Sequence, residues 1–188
     1  MNRRILLHGW AGHPDKGWKP WLKQELESRG WQVIAPQLPH ANKPVREEWL
    51  ATLAEAVGTT DEQTYFIGHS LGCYTFLKCI EQLPPDAKIG GGVMVAGFAG
   101  QLKHPIPVLE KFYEDGLDWQ AICSHQGRYA AIYSERDDYV RVESAFEFEK
   151  QLGATLIKNN DWEHFSASEG ITELPDALTA ILQISEKV

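Results

Sequence analysis

The stretch from Thr64 to Ile80 constrains this chain more than any other. Three strand formers, Tyr65, Phe66 and Ile67, run into Gly68-His69-Ser70-Leu71-Gly72, and a largely apolar helical run follows. A serine flanked two residues away on each side by glycine, with a strand ahead and a helix behind, has the form of a nucleophile elbow. Ser70 must occupy a sharp, strained turn for its hydroxyl to stand clear of the backbone. The two glycines keep side chains out of the space where strand and helix pack closely. A helix starting here also points free amides and the positive end of its dipole at the place where an oxyanion would form. The five-residue pattern alone is weak; its strand and helix context gives it weight.

A chain of 188 residues can bury one substantial core, and no repeat or low-complexity tract divides it, so residues 1–188 read as a single domain. With 43% hydrophobic residues and seven tryptophans it suits a packed globule rather than a disordered chain. The formal charge of -8 argues against nucleic acid or an anionic membrane as partner, because such binding needs clustered Lys and Arg. Arg3 and Arg4 imitate the charged start of a signal peptide, but the apolar run after them, Ile5-Leu6-Leu7, is too short for a secretory or spanning segment. Cys73, Cys79 and Cys123 form neither a disulfide framework nor a metal spacing, so a cytoplasmic location is expected. Cys73 and Cys79 read as small core residues of the elbow helix.

Taken in order, Ile5-Leu6-Leu7 is a short buried strand, and His8-Gly9-Trp10-Ala11-Gly12 is the loop leaving it. Trp18, Trp21, Leu22 and Leu26 share a helix face that Gly30 stops. Strands are expected at Trp31–Ala35, at the elbow, at Gly91–Ala96, at Tyr129–Tyr133 and at Thr155–Lys158. Helical spacing returns in Val45, Trp49, Leu53 and Val57, ending at Gly58; around Phe146 and Phe148; and in Ala177, Leu178, Ile181 and Leu182. Strands alternating with helices need crossovers, so the fold class is α/β: a mostly parallel six-stranded sheet with helices on both faces. The excursion 98–128, with Pro105, Pro107, two short helical candidates and Trp119, is too long for a simple crossover. It reads as a short lid or pocket wall.

A serine hydroxyl needs a base, and the base needs a third group to orient it. In α/β-hydrolases the chain order is serine, acid, histidine, with the latter two on loops after later strands. Tyr129–Tyr133 leads into Ser134-Glu135-Arg136-Asp137-Asp138, and Thr155–Lys158 leads towards Asp161-Trp162-Glu163-His164. Of the seven histidines, His13, His40, His104 and His125 lack that context. His8 and His69 sit at strand ends but cannot easily swing onto the hydroxyl, which leaves His164 as the base by position. The histidines have no metal-ligand spacing, and Gly90-Gly91-Gly92 precedes a strand rather than opening a helix, so neither metal nor cofactor is expected. The oxyanion donors expected of such a fold are the amides of Leu71 and Trp10, with Ala11 as runner-up to Trp10.

H-G-W near the start, G-H-S-L-G in the middle, S-E-R-D-D-Y-V later and W-E-H-F near the end resemble the small serine hydrolases of the retinoblastoma-binding protein 9 family. The resemblance spans nearly the whole chain and implies a trimmed α/β-hydrolase with Ser70, Asp137 and His164 as its triad. In that family the acid tends to lie three residues before an apolar residue, which from Val140 points to Asp137 rather than Asp138. Two positions depart from its pattern: no proline follows the acid, and Glu163 stands where glycine is common.

The reading is therefore a serine hydrolase acting on a small ester, thioester or amide as its acyl substrate, with Trp119 and Trp162 as pocket aromatics. The alternative is a protein-interaction module on the same fold, with a protein partner in place of catalysis.

Overall fold

The computed structural model describes residues 3–186. Six strands, β1 (Arg3–Leu7), β2 (Gln32–Ile34), β3 (Thr64–His69), β4 (Gly91–Val95), β5 (Arg128–Tyr133) and β6 (Thr155–Lys158), form one sheet in the order β2-β1-β3-β4-β5-β6. Every neighbouring pair is parallel. Among the described residues seven α-helices cover it: α1 (Lys19–Ser28), α2 (Arg46–Val57), α3 (Leu71–Glu81), α4 (Pro107–Tyr113), α5 (Trp119–Ser124), α6 (Glu143–Leu152) and α7 (Pro175–Ser185). Among the described residues no helix is long and apolar enough to cross a membrane.

Strand side chains alternate between faces, and both faces are apolar because both carry helices. Ile5, Leu7, Phe66, Met94, Tyr129 and Ala131 face a core built with Trp49, Leu53, Phe76 and Phe148 from α2, α3 and α6. Their neighbours Leu6, Tyr65, Ile67, Val93, Val95 and Ile132 face a second core built with Leu22 and Leu26 of α1 and Ala177, Ile181 and Ile184 of α7. The division follows from crossover handedness. The chain runs from β1 outwards to β2 through α1, then back past β1 to β3 through α2, and onward in one direction. Hence α2 to α6 share a face opposite α1. Connections leaving β1 and β3 depart in opposite senses, and the crevice that opens beyond their carboxyl ends is where this class of sheet binds ligands.

The edges of the expected elements moved for physical reasons. β2 is shorter than Trp31–Ala35 because it is an edge strand with only Arg3–Ile5 to pair against. β4 ends at Val95 because Ala96 takes a left-handed φ of 46° and turns the chain away. The excursion 98–128 holds α4 and α5. Leu109 and Phe112 of α4 sink into the first core, where Phe112 meets Trp49 and Tyr74 edge-on.

Candidate active site

Ser70 is the hinge between β3 and α3, with φ 51° and ψ -121°. A non-glycine residue there is strained, and the surrounding backbone holds it in place. Ser70 N–H donates to the Val95 carbonyl at 2.9 Å. A β-carbon added at Gly68 would lie 2.8 Å from the Cys73 amide nitrogen, and one at Gly72 only 2.6 Å from the His8 carbonyl oxygen. At Gly9 it would meet the His69 carbonyl at 2.8 Å. These three glycines are what lets the β1 loop, β3 and α3 touch backbone to backbone.

The β1 loop is fixed from behind by His8. Leu38 N–H donates to Nε2 at 3.0 Å, so the proton sits on Nδ1, which donates to the Gly9 carbonyl at 2.8 Å. Burial pushes this imidazole down to about 4, so it is neutral at pH 7. The neighbouring amides divide sharply. Ala11 N–H is taken by the Ala41 carbonyl at 2.8 Å, whereas among the described residues neither Trp10 N–H nor Leu71 N–H has a protein acceptor.

Across the crevice, His164 Nδ1 lies 2.8 Å from Asp137 Oδ2. The other oxygen, Oδ1, accepts from the amides of Tyr139 at 2.8 Å and Val140 at 2.9 Å. Asp137 is buried while Asp138 is exposed, and the Lys103 ammonium donates to the Asp137 carbonyl. The Asp137 contact puts the His164 proton on Nδ1 and leaves Nε2 as the basic nitrogen. The Tyr139 ring lies against the imidazole, centroids 4.8 Å apart. Among the described residues no hydrogen bond joins Ser70 to His164; such bonds often tighten only once substrate is bound.

Two residues that support the His164 loop are missing from the expected site. His69 Nε2–H donates to the His164 carbonyl at 2.8 Å, and burial, helped by the nearby charges of His164 and Lys19, holds it well below the ordinary imidazole range. Glu169 accepts from the amides of Glu163 (2.7 Å), His164 (3.1 Å) and Ser166 (2.8 Å), and from the Ser166 hydroxyl (2.8 Å). Burial acts to raise its carboxyl, but these donors outweigh it and hold the group below its usual value. The signal was present: Ser166 and Glu169 form a capping box, an S-x-x-E pattern readable from sequence.

Ser70, His164 and Trp10 line a cleft of about 540 Å³. Its apolar stretch is Phe98, Leu102, Ile106 and Leu109, from β4's exit and α4; its polar stretch is His13, Lys16, Lys19, Ser166 and Ser168. The two tryptophans expected there lie elsewhere. Trp119 packs edge-on against Phe148 and borders a separate groove with Gly100 and Arg141. Trp162 packs against the second core, and its carbonyl accepts from the Ser134 hydroxyl at 2.7 Å. Among the described residues no group of three or more His, Cys, Asp or Glu side chains is placed to hold a metal ion.

A family described as serine hydrolases matches residues 4–183. YdeN of Bacillus subtilis (strain 168), named as a candidate hydrolase, is 33% identical over 184 residues, 96% of each chain. The crystal structure of the B. subtilis ydeN product superposes with a TM-score of 0.90 at 31% identity, covering 100% of both chains. Two more distant structures share the fold: a YdeN-like candidate hydrolase from Pectobacterium atrosepticum (TM-score 0.73, 16% identity, 98% and 91% covered) and the B. subtilis carboxylesterase CesB (TM-score 0.60, 15% identity, 96% and 82% covered).

Proposed function

Since the chain belongs to the serine hydrolase family, we propose that it cleaves a small ester, thioester or amide through an acyl-enzyme on Ser70, with His164 as base and Asp137 as the acid that orients it. The observation that carries this reading is the Asp137–His164 contact, because a proton fixed on Nδ1 leaves Nε2 able to take one from a hydroxyl sharing its cleft. In the first step Ser70 Oγ attacks the carbonyl carbon as its proton passes to Nε2. The carbonyl oxygen, now an oxyanion, accepts from the amides of Leu71 and Trp10. The imidazolium then protonates the leaving group, and the acyl group stays on Ser70. Water, deprotonated by the same nitrogen, releases the acid and restores the serine.

The excursion 98–128 forms the acyl-pocket wall through Phe98, Leu102, Ile106 and Leu109. The four motifs support the narrower resemblance to the retinoblastoma-binding protein 9 family, and three free thiols suit a cytoplasmic setting. The test is a fluorophosphonate probe, read by mass spectrometry. One label on Ser70, abolished in Ser70→Ala, is the expected result. A folded protein that takes no label would point to the interaction-module alternative.

A further inference from the structure

Resting on the hydrolase reading, we propose that the natural substrate carries a carboxylate, and that the ammonium of Lys19 in the wall of the cleft binds it. Lys19 is 4% exposed yet lines the cleft that contains Ser70. Among the described residues its ammonium has no hydrogen bond and no ion pair; its partner is the face of the Trp18 ring, in a cation–π contact 5.3 Å from the centroid. Lysine is almost never this buried with neither an anion nor a hydrogen-bond acceptor beside it, because desolvating a charge is costly and a ring face offsets only part of that cost.

Its position makes the cost higher. Lys19 opens α1, where the helix dipole is already positive, and no acidic residue stands in the first turn. Burial pushes the ammonium down to about 8, so at pH 7 it still carries its proton in most molecules. The Trp18 ring contact offsets only part of that cost, and among the described residues no carboxylate supplies the rest.

The cleft as a whole has the same bias. The chain carries a formal charge of -8, yet among the described residues the side chains lining this cleft include the two ammonium groups of Lys16 and Lys19 and not one Asp or Glu. Asp15, 3.7 Å from His13, is exposed on the rim. The loop before α1 and the turn after His164 are in contact, with a β-carbon at Gly17 falling 3.4 Å from Ala167. Together they form a polar wall of Lys16, Lys19, Ser166 and Ser168 beside the apolar wall of α4. A ligand with one apolar part and one anionic end fits this pair of walls.

Two matched ester pairs test the inference: mono-4-nitrophenyl glutarate against its methyl ester, with the anion on the acyl side, and 4-butyryloxybenzoate against its methyl ester, with the anion on the leaving group. At least one pair should favour the anion by about tenfold or more in kcat/KM, the size of a charge-assisted hydrogen bond. Lys19→Met and Lys19→Gln, each checked by a thermal melt, should bring that ratio close to one. Neutral esters turned over as well as the anions in both pairs would overturn the inference while leaving the hydrolase reading intact. So would a preference that survives loss of Lys19. No turnover of any ester, with no fluorophosphonate label on Ser70, would remove both.

Discussion

At the elbow an added β-carbon on Gly68 or Gly72 would fall 2.8 or 2.6 Å from neighbouring backbone atoms, whereas the loop carrying His164 is tied down by side chains: Asp137, His69 and Glu169. Ser70 is therefore positioned by steric necessity along β3 and α3. His164 is positioned by hydrogen bonds, those with Asp137 and His69 joining residues far apart in the chain. Damage to the first region should appear mainly as lost stability, and damage to the second mainly as lost turnover.

The largest expected effect lies in the second region. Asp137→Asn keeps the shape but favours the wrong imidazole tautomer, and should lower kcat by roughly 10³ to 10⁴, the scale seen for a serine protease. Asp138→Asn, on an exposed side chain, should cost only a few-fold at most on the same scale. Comparing kcat of the two folded variants decides the register, and a crippled Asp138→Asn would move the acid by one residue.

Gly72→Ala tests the first region. The new methyl group meets the His8 and Leu7 carbonyl oxygens, which belong to backbone and cannot swing away. A loss of roughly 3 kcal/mol in chemical denaturation is expected, the upper part of the range for overpacking. A variant as stable as the parent would show that the elbow relaxes more readily than its geometry implies.

His8 links the two kinds of support, being a side chain that pins backbone. Its folded imidazole titrates at about 4 against 6.5 unfolded, so between those values the unfolded chain binds more protons. Stability from this group is complete above pH 6.5 and is lost as pH falls towards 4, by about 3 kcal/mol in all. Denaturation curves of His8→Gln, which keeps an acceptor for Leu38 N–H, should lack that part of the slope. An unchanged slope would assign the pH dependence to other groups.

Glu169→Gln should have a smaller effect than these disruptive changes, roughly a tenfold drop in kcat with KM little changed, because weakening the charge-assisted bonds lets the loop drift without removing a reacting group. A matching loss of global stability with unaltered kcat in the folded fraction would make Glu169 a purely structural cap.

The sequence determined what depends on local spacing. The strand–turn–helix around Ser70 was legible because Gly68 and Gly72 stand at fixed offsets and a strand-to-helix turn needs no distant partner. Both sheet faces could be read as buried, because runs such as Ile5-Leu6-Leu7 and Val93-Met94-Val95 are apolar without alternation. Gly58 and Gly30 stop their helices with φ of 60° and 79°, as their place after the last periodic residue required. What the sequence could not decide was which side chains meet. Trp119 and Trp162 had the composition of a pocket, but tertiary packing carried one onto Phe148 and the other onto the second core. The cleft instead received Phe98 and Leu102, from the exit of β4. His69 is excluded as the base because it cannot easily swing onto the hydroxyl, and only folding shows its ring nitrogen reaching a carbonyl 95 residues away. Lys19 was one lysine among eighteen basic residues until packing buried it beside Ser70 in a cleft without a carboxylate. Burial is a property of the assembled layers, and a lysine acquires an unusual electrostatic environment only once those layers have withdrawn most of it from water.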